Sequence, residues 1–354
     1  MQSVVSTVEK LYLNPEKTAR LADLRYVSDR TPGIQRQPWG RGFTYFYPDG
    51  SRVTSEQVRS RIKTIGIPPG WSSVWICPDP NGHLQATGRD QKGRKQYRYH
   101  AKWRQMRSQI KFHRLLPFGQ ALPELRQQVQ AHMQQRSSHR QRVVATVIRL
   151  LDQTLIRVGN PEYAKSNGSY GLTTLRDRHV EISGSHLKFE FRGKSGIKHE
   201  IDLSDPQLAK IVKACKEIPG YSLFQYVDAA GERQVVDSGD VNDYLQAIMG
   251  EAFTAKDFRT WAGSVTAAET LQTLGVPDSE KVASRHVSAA VKAAAKQLGN
   301  RPATCRKYYV HPAIPDAYTE GWLLEFMQAA QPLAQLDRGE SQVLALLERT
   351  DPLN

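Results

Sequence analysis

The chain has 354 residues, a length that suits two domains and leaves room for a third. Hydrophobic residues make up 39% and charged residues 24%, enough for a packed core, which excludes wholesale disorder. Lys and Arg number 49 against 35 Asp and Glu, a net charge of +14 with a pI of about 9.7, so the expected partner is a polyanion, nucleic acid ahead of an acidic membrane surface. Mean hydropathy is −0.54, and the longest apolar runs, such as Val143 to Ile148, are far too short to cross a bilayer. The opening MQSVVSTVEK lacks the basic start and apolar core of a signal peptide. Cys77, Cys215 and Cys305 are three in number and widely spread. They form neither a disulfide framework nor a zinc site, and the expected compartment is a reducing cytoplasm.

The N-terminal third reads as strands and turns. Phe43 to Tyr47 is aromatic and extended, Pro48-Asp49-Gly50 is a turn, and Arg52-Val53-Thr54 resumes the strand pattern. A short amphipathic helix is predicted over Glu56 to Ile65, stopped by Ile67-Pro68-Pro69-Gly70, and Ser73 to Cys77 is a further strand. Residues 1–106 hold 18 Lys and Arg against 8 Asp and Glu, while the rest of the chain holds 31 against 27. From Arg89 to Arg114 there are ten basic residues and one acid, Asp90, with Gln96, Tyr97, Tyr99 and Trp103 among them. Cations interleaved with planar side chains suit a phosphate backbone, with the charges on phosphates and the rings on sugars or base edges. A solvated basic face is the plainer alternative.

Near Tyr99 the pattern turns helical, and a domain boundary is expected at residues 104–108. This gives a β-rich basic domain, 1–106, and a mainly helical domain, 107–354. Helical periodicity covers Leu122 to Met133 and Val143 to Ile156. An island of strands follows at Val180 to Ile182, Leu187 to Phe191 and Ile197 to Leu203, joined at Ser183-Gly184-Ser185 and at Gly193 to Gly196. Helices are then predicted at Pro206–Lys216, Val241–Met249, Ala255–Leu274, Asp278–Leu298, Thr304–Val310, Ala317–Met327 and Gly339–Arg349. The predicted class is α+β, a small β-rich domain followed by a mainly α domain with one small antiparallel sheet.

Common catalytic signatures are missing. Gly193-Lys194-Ser195 looks like the end of a P-loop, but that motif needs glycine where Lys188 stands and a helix where a strand is predicted. There is no H-E-x-x-H, G-x-S-x-G or G-x-G-x-x-G. The acidic pairs Asp240/Asp243 and Glu200/Asp202 are read as solvated side chains rather than magnesium ligands. No metal and no nucleotide cofactor is expected.

Five segments carry the chemistry. They are Arg157-Val158-Gly159-Asn160, read as a helix end and followed by Glu162-Tyr163 and Gly171 to Leu175; Phe191-Arg192-Gly193-Lys194 at a hairpin tip; Lys256 to Trp261; Leu298 to Pro302; and Cys305 to Pro312. In this order they resemble the type IB DNA topoisomerases, in particular the short bacterial and poxvirus-like branch. The resemblance extends into the N-terminal part through Leu24-Arg25-Tyr26-Val27, Ile67 to Trp71, Val74 to Cys77, His83 to Gly88 and Gln96 to His100. It covers roughly residues 20–325.

What the resemblance implies is specific. Arg157 and Arg259 hold the scissile phosphate as charged, fork-shaped donors, and Lys194 protonates the leaving 5′ oxygen. Tyr309 is the nucleophile that forms a 3′-phosphotyrosyl bond, its phenolate favoured by nearby cations. Of the tyrosine pair, Val310-His311-Pro312 selects Tyr309 over Tyr308. On a helix the two would point about 100° apart. Asn300 stands where poxvirus and eukaryotic relatives carry histidine, and can donate a hydrogen bond but no charge. His311 is read as a helix-end residue, and Thr254 with Asp257 as a capping box. Tyr163 and Lys256 are implied contacts to the DNA backbone, and Gln96, Tyr97 and Tyr99 to a DNA groove.

The implied activity is relaxation of positive and negative supercoils by a monomer. It closes as a C-shaped clamp on duplex DNA in the bacterial nucleoid, without ATP or a required metal. A tyrosine recombinase would share the Arg/Lys/Arg/Tyr set, but its core-binding domain is helical, unlike this β-rich N-terminal part. A non-catalytic DNA-binding protein of the same fold is the other alternative, and it would be indifferent to loss of Tyr309.

Overall fold

The computed structural model describes residues 14–135, 139–250 and 253–350, without the side chains of residues 108–110. The opening decapeptide, expected not to be a signal peptide, lies outside these residues. The chain divides into two compact units between Arg114 and Leu115.

The first unit begins with α1 (Pro15–Leu21), a helix the sequence pattern does not predict. Proline occupies its first turn, and the Asn14 side chain accepts from the Lys17 N–H at 2.9 Å, which is the chemistry of a helix start. A five-stranded antiparallel sheet follows. It consists of β1 (Ile34–Trp39), β2 (Gly42–Phe46), β3 (Ser72–Ile76), β4 (Leu84–Arg89) and β5 (Lys95–Tyr99), in the order β2-β1-β3-β4-β5. The predicted helix is α2 (Glu56–Ile65), capped by the Ser55 hydroxyl and closed by Gly66 in the left-handed region. Beneath it Ile62 packs with Val53, Ile34, Val74, Ile76 and Ala86. The stretch Arg52–Thr54 is not a full strand: it forms only a bridge from Arg52 to Phe46, and the ladder partner of β2 is β1.

Residue 106, near the expected boundary, lies inside α3 (Ala101–His113). That helix stays with the first unit because Trp103 packs on Ala19, Ala22 and Leu24 around α1.

The second unit is helical around one continuous core. Its first members are α4 (Leu115–Gln134), α5 (His139–Thr154) and α6 (Pro161–Asn167). The predicted sheet follows as β6 (Val180–Ser183), β7 (His186–Arg192) and β8 (Lys198–Ser204), all antiparallel. After α7 (Pro206–Glu217) comes a two-stranded ladder, β9 (Gln225–Val227) with β10 (Arg233–Val235), that the pattern does not predict. Three residues per strand are too few to show an alternation.

The remaining helices are α8 (Ser238–Met249), α9 (Ala255–Leu274), α10 (Glu280–Gln297), α11 (Pro302–Tyr308), α12 (Ala313–Thr319), α13 (Leu323–Ala329) and α14 (Arg338–Thr350). Helix α9 is the central one, burying residues on all sides, from Phe258 and Trp261 to Ala268 and Leu271. The helix predicted over Ala317–Met327 is broken into α12 and α13 at Gly321, whose φ is 88°. Among the described residues no helix is long and apolar enough to cross a membrane.

Candidate active site

Helix α5 stops at Thr154, and Leu155 turns the chain with a φ of 56°. Arg157 therefore stands in an irregular segment beyond the helix rather than at its end. That segment is held by backbone bonds from Leu172 to the Arg157 carbonyl (2.9 Å) and from Thr173 to the Val158 carbonyl (2.7 Å). Gly171 lies so close beneath the Arg157 carbonyl that a Cβ there would collide with it.

Arg259 sits in the second turn of α9, whose start is fastened by the predicted Thr254–Asp257 pair. The Asp257 carboxylate accepts from the Thr254 N–H at 2.9 Å and from its hydroxyl at 3.0 Å. The buried Arg259 guanidinium donates to the Leu155 carbonyl and, at 2.5 Å, to the Leu298 carbonyl. It thus ties the end of α5 to the end of α10. Its Nε is buried without a partner.

Burial and the nearby charge of Arg157 pull the Arg259 pKa down to about 10, with contact to the Tyr309 phenol partly offsetting them. Burial likewise lowers that of Arg157. No carboxylate pairs with either guanidinium among the described residues. Two unpaired cations in a desolvated site form a natural seat for an anion.

Asn300 follows the end of α10, where Gly299, at a φ of 57°, makes the reversal. Its N–H reaches the Lys296 carbonyl, and the Asn300 N–H reaches that of Ala295 at 2.9 Å. This Schellman-type closure delivers the Asn300 side chain. Its Oδ1 accepts from Arg157 at 2.7 Å, and its Nδ2 is buried without a partner.

Tyr309 is the residue after α11, with a non-helical φ of −135°, so it and Tyr308 are not separated by helical rotation alone. Tyr308 is exposed, with the Lys307 ammonium 5.2 Å from its ring. Tyr309 packs against the core with the Arg259 guanidinium 5.6 Å from its ring centroid. Its backbone is held by α9. The Ser264 hydroxyl accepts from the His311 N–H at 3.0 Å and lies 3.4 Å from the Tyr309 carbonyl. The next residue on that face is Gly263, where a Cβ would stand 2.5 Å from the same carbonyl. His311 is a helix-end residue, its Nδ1 accepting from Ala313 ahead of α12.

Direct contacts thus join Arg157 to Asn300 and Arg259 to Tyr309. Lys194 lies in the β7–β8 turn, which Gly193 closes onto the Ile197 carbonyl at 2.8 Å. Its side chain is exposed and makes no hydrogen bond or ion pair among the described residues.

Tyr163 is exposed on α6 and Lys256 is exposed in the first turn of α9. In the first unit, Tyr97 and Tyr99 are exposed on β5 with parallel rings 5.9 Å apart, and Gln96 donates to Asp90 at 3.0 Å. Of the acidic pairs, Asp240 is engaged by Arg140 at 2.6 Å and Glu200 by Lys188 at 3.0 Å. No group of three or more His, Cys, Asp or Glu that could hold a metal is found among the described residues.

The profile of the eukaryotic DNA topoisomerase I catalytic core matches residues 100–321, and that of the bacterial DNA topoisomerase IB N-terminal domain matches residues 42–90. The DNA topoisomerase 1B of Acanthamoeba polyphaga mimivirus is 33% identical over 285 residues, 78% of this chain and 85% of the viral one. The chain belongs to the type IB DNA topoisomerases.

Similarity extends to the DNA topoisomerase 1B of Vaccinia virus (strain Copenhagen), 22% identical over 64% of this chain and 70% of its own. It extends also to human DNA topoisomerase 1, 30% identical over 39% of this chain and 18% of its own. Membership makes this protein a DNA-binding isomerase with DNA as its substrate.

Sequence reasoning passed over three residues that the fold brings to this candidate site. Gly263 and Ser264 brace Tyr309 from α9; a small pair at the centre of an apolar helix was the available signal. The third is His199 on β8, half-buried, its ring stacked on Phe191 and its basicity lowered by burial and by Arg157 and Arg259. In Lys198-His199-Glu200 it reads as one more polar residue of a strand, and only the fold reveals its neighbours.

Proposed function

We propose that Tyr309 carries the strand-breaking step and that Arg157, Arg259 and Asn300 hold the scissile phosphate. The observation that carries this reading is the convergence of unused donors beside one phenol: the buried Arg259 Nε and Asn300 Nδ2 have no partner, and neither arginine is neutralised. Orphaned buried donors are costly, and a phosphodiester would satisfy them while its transition state draws more charge onto the same groups.

The phenol loses its proton to solvent, and its oxygen forms a bond to phosphorus. The bond to the 5′ oxygen breaks, and Lys194 supplies the proton that this oxygen takes up. The strand's 3′ end is then joined to Tyr309, and the free 5′ end turns about the intact strand until superhelical strain of either sign is released. Reversal of the step reseals the DNA. One ester replaces another of similar energy, so neither ATP nor a metal is needed. Tyr163 and Lys256 touch the backbone near the break, and Gln96, Tyr97 and Tyr99 touch a groove. A monomer acts by closing its two units around the duplex, at the bacterial nucleoid.

Plasmid relaxation decides the matter. Wild type relaxes supercoiled plasmid in EDTA without nucleotide and leaves protein-linked DNA when quenched with detergent. Tyr309→Phe does neither, while its DNA affinity stays within about twofold, because only the nucleophile is lost. Full dependence on magnesium, or relaxation by Tyr309→Phe, contradicts the proposal.

A further inference from the structure

We infer that His199 is a positioning residue, a flat spacer that sets the Lys194 turn relative to the loop bearing Asn300. The inference rests on the reading of Lys194 and Asn300 above and deepens it.

The β7–β8 register places His199 directly opposite Phe191. Their rings are stacked, with centroids 5.0 Å apart and planes 13° from parallel. Phe191 is buried in the core, so the imidazole has a rigid floor. Its Cδ2–Nε2 edge fills the space a side chain at residue 193 would need, since a Cβ there would lie 2.6 Å from both atoms. Its Cε1 faces Gly299, where a Cβ would lie 3.3 Å away. Each of these glycines immediately precedes a residue assigned to the chemistry, Lys194 in one case and Asn300 in the other.

One ring is therefore wedged between two loops from distant parts of the chain. Lys194 has a long side chain with no hydrogen bond or ion pair to hold it, so its placement has to come from the turn beneath it. Small displacements of a reacting group are expensive: about 1 Å can lower a rate by roughly a hundredfold. The imidazole makes no hydrogen bond among the described residues. Burial and the two guanidiniums hold it below the ordinary histidine pKa, so it is neutral at neutral pH and adds no third cation. Its contribution is shape.

The test is single-turnover cleavage of a duplex carrying a mapped cleavage site, with DNA affinity and melting temperature measured alongside. His199→Ala is expected to cleave at least about tenfold more slowly with affinity within twofold. His199→Phe keeps a ring on Phe191 and between the glycines, and should recover most of the rate. In a Lys194→Ala background, His199→Ala should cost little more.

Wild-type cleavage by His199→Ala overturns the inference. So does a His199→Phe variant as slow as the alanine, which would make the imidazole a hydrogen-bond donor to substrate. Fully additive losses in the double variant overturn it as well. A duplex with sulfur in place of the bridging 5′ oxygen tests the underlying reading separately. Thiolate needs no proton to leave, so that substrate restores Lys194→Ala if Lys194 is the acid. If it does not, the acid role fails, while the cycle still decides whether His199 acts through Lys194.

Discussion

Arg259 uses two guanidinium nitrogens on the backbone carbonyls of Leu155 and Leu298 and leaves the buried third without a partner. One side chain thus joins the segment leading to Arg157 to the loop leading to Asn300, and still has a donor to offer. Lysine could not replace it, because an ammonium lacks the planar fork that satisfies two carbonyls at once.

The same economy of space appears at Gly263. A Cβ there would stand 2.5 Å from the Tyr309 carbonyl and 3.2 Å from its Cβ, and backbone cannot swing aside as a flexible side chain can. Gly263→Ala should favour the helix itself by up to about 1 kcal/mol while pushing Tyr309 out of place. The expected outcome is single-turnover cleavage slowed by at least about tenfold, with DNA affinity retained. Unchanged cleavage would show that the backbone of Tyr309 is free to shift without consequence.

At the scale of elements, α14 matters more than its place at the end of the described chain suggests. Its Glu340 is buried and accepts from Arg126 on α4, at 2.6 and 2.8 Å, and from the Trp261 indole on α9 at 3.0 Å. Arg126 also grips Asp152 of α5 at 2.8 Å. Four helices therefore meet at one ionic cluster, and Trp261 lies two residues beyond Arg259. Burial alone would raise the Glu340 pKa, but the hydrogen bonds and charge of Arg126 outweigh it and hold it below the ordinary value.

A carboxylate with a depressed folded-state pKa contributes stability above its unfolded pKa of about 4.3, lost as the pH falls through the folded value. Glu340→Gln leaves Arg126 with Asp152 as its remaining carboxylate, beside the Gln335 carbonyl, and should cost about 3 kcal/mol at pH 7. The gap in melting temperature between variant and wild type should narrow below about pH 4. A gap that stays constant down to pH 3 would mean that Glu340 contributes packing rather than charge.

Elements with strong local signals were legible in the sequence. Helix α2 has its Ser55 cap, its amphipathic face and its glycine stop, and the β6–β8 meander has its alternation and turns. Strand β1, reading Ile-Gln-Arg-Gln-Pro-Trp, has one buried residue and shows no pattern, so only its partners reveal it. The conformation of Tyr309 depends on Gly263 and Ser264 from another helix, which no local periodicity encodes. The segments carrying Arg157, Arg259, Asn300 and Tyr309 were visible as short cationic or aromatic stretches, each weak alone and telling only in their order along the chain. His199 was not, because its meaning lies in two glycines, one six residues before it and the other a hundred residues after it.

At the scale of the whole molecule, charge and chemistry lie in different units. Residues 1–114, the first unit, hold 21 basic residues against 8 acidic ones, and the contacts among Arg157, Arg259, Asn300 and Tyr309 all lie in the second unit. A unit with so much positive charge and none of these residues is best explained as a holder of the phosphate backbone. If it closes with the catalytic unit around the duplex, binding has a topological component that salt cannot screen.

Cross-linking the two units of Tyr309→Phe, which removes the covalent attachment as a confounder, separates the two components. Before cross-linking, high salt should strip the protein from any DNA, with affinity falling by about 0.9 in the logarithm per neutralised phosphate per decade of salt. After cross-linking, closed circular DNA should stay bound through the same wash, while linear duplex slides free. Circular DNA that washes off as readily as linear would show that the units grip one side of the helix without encircling it.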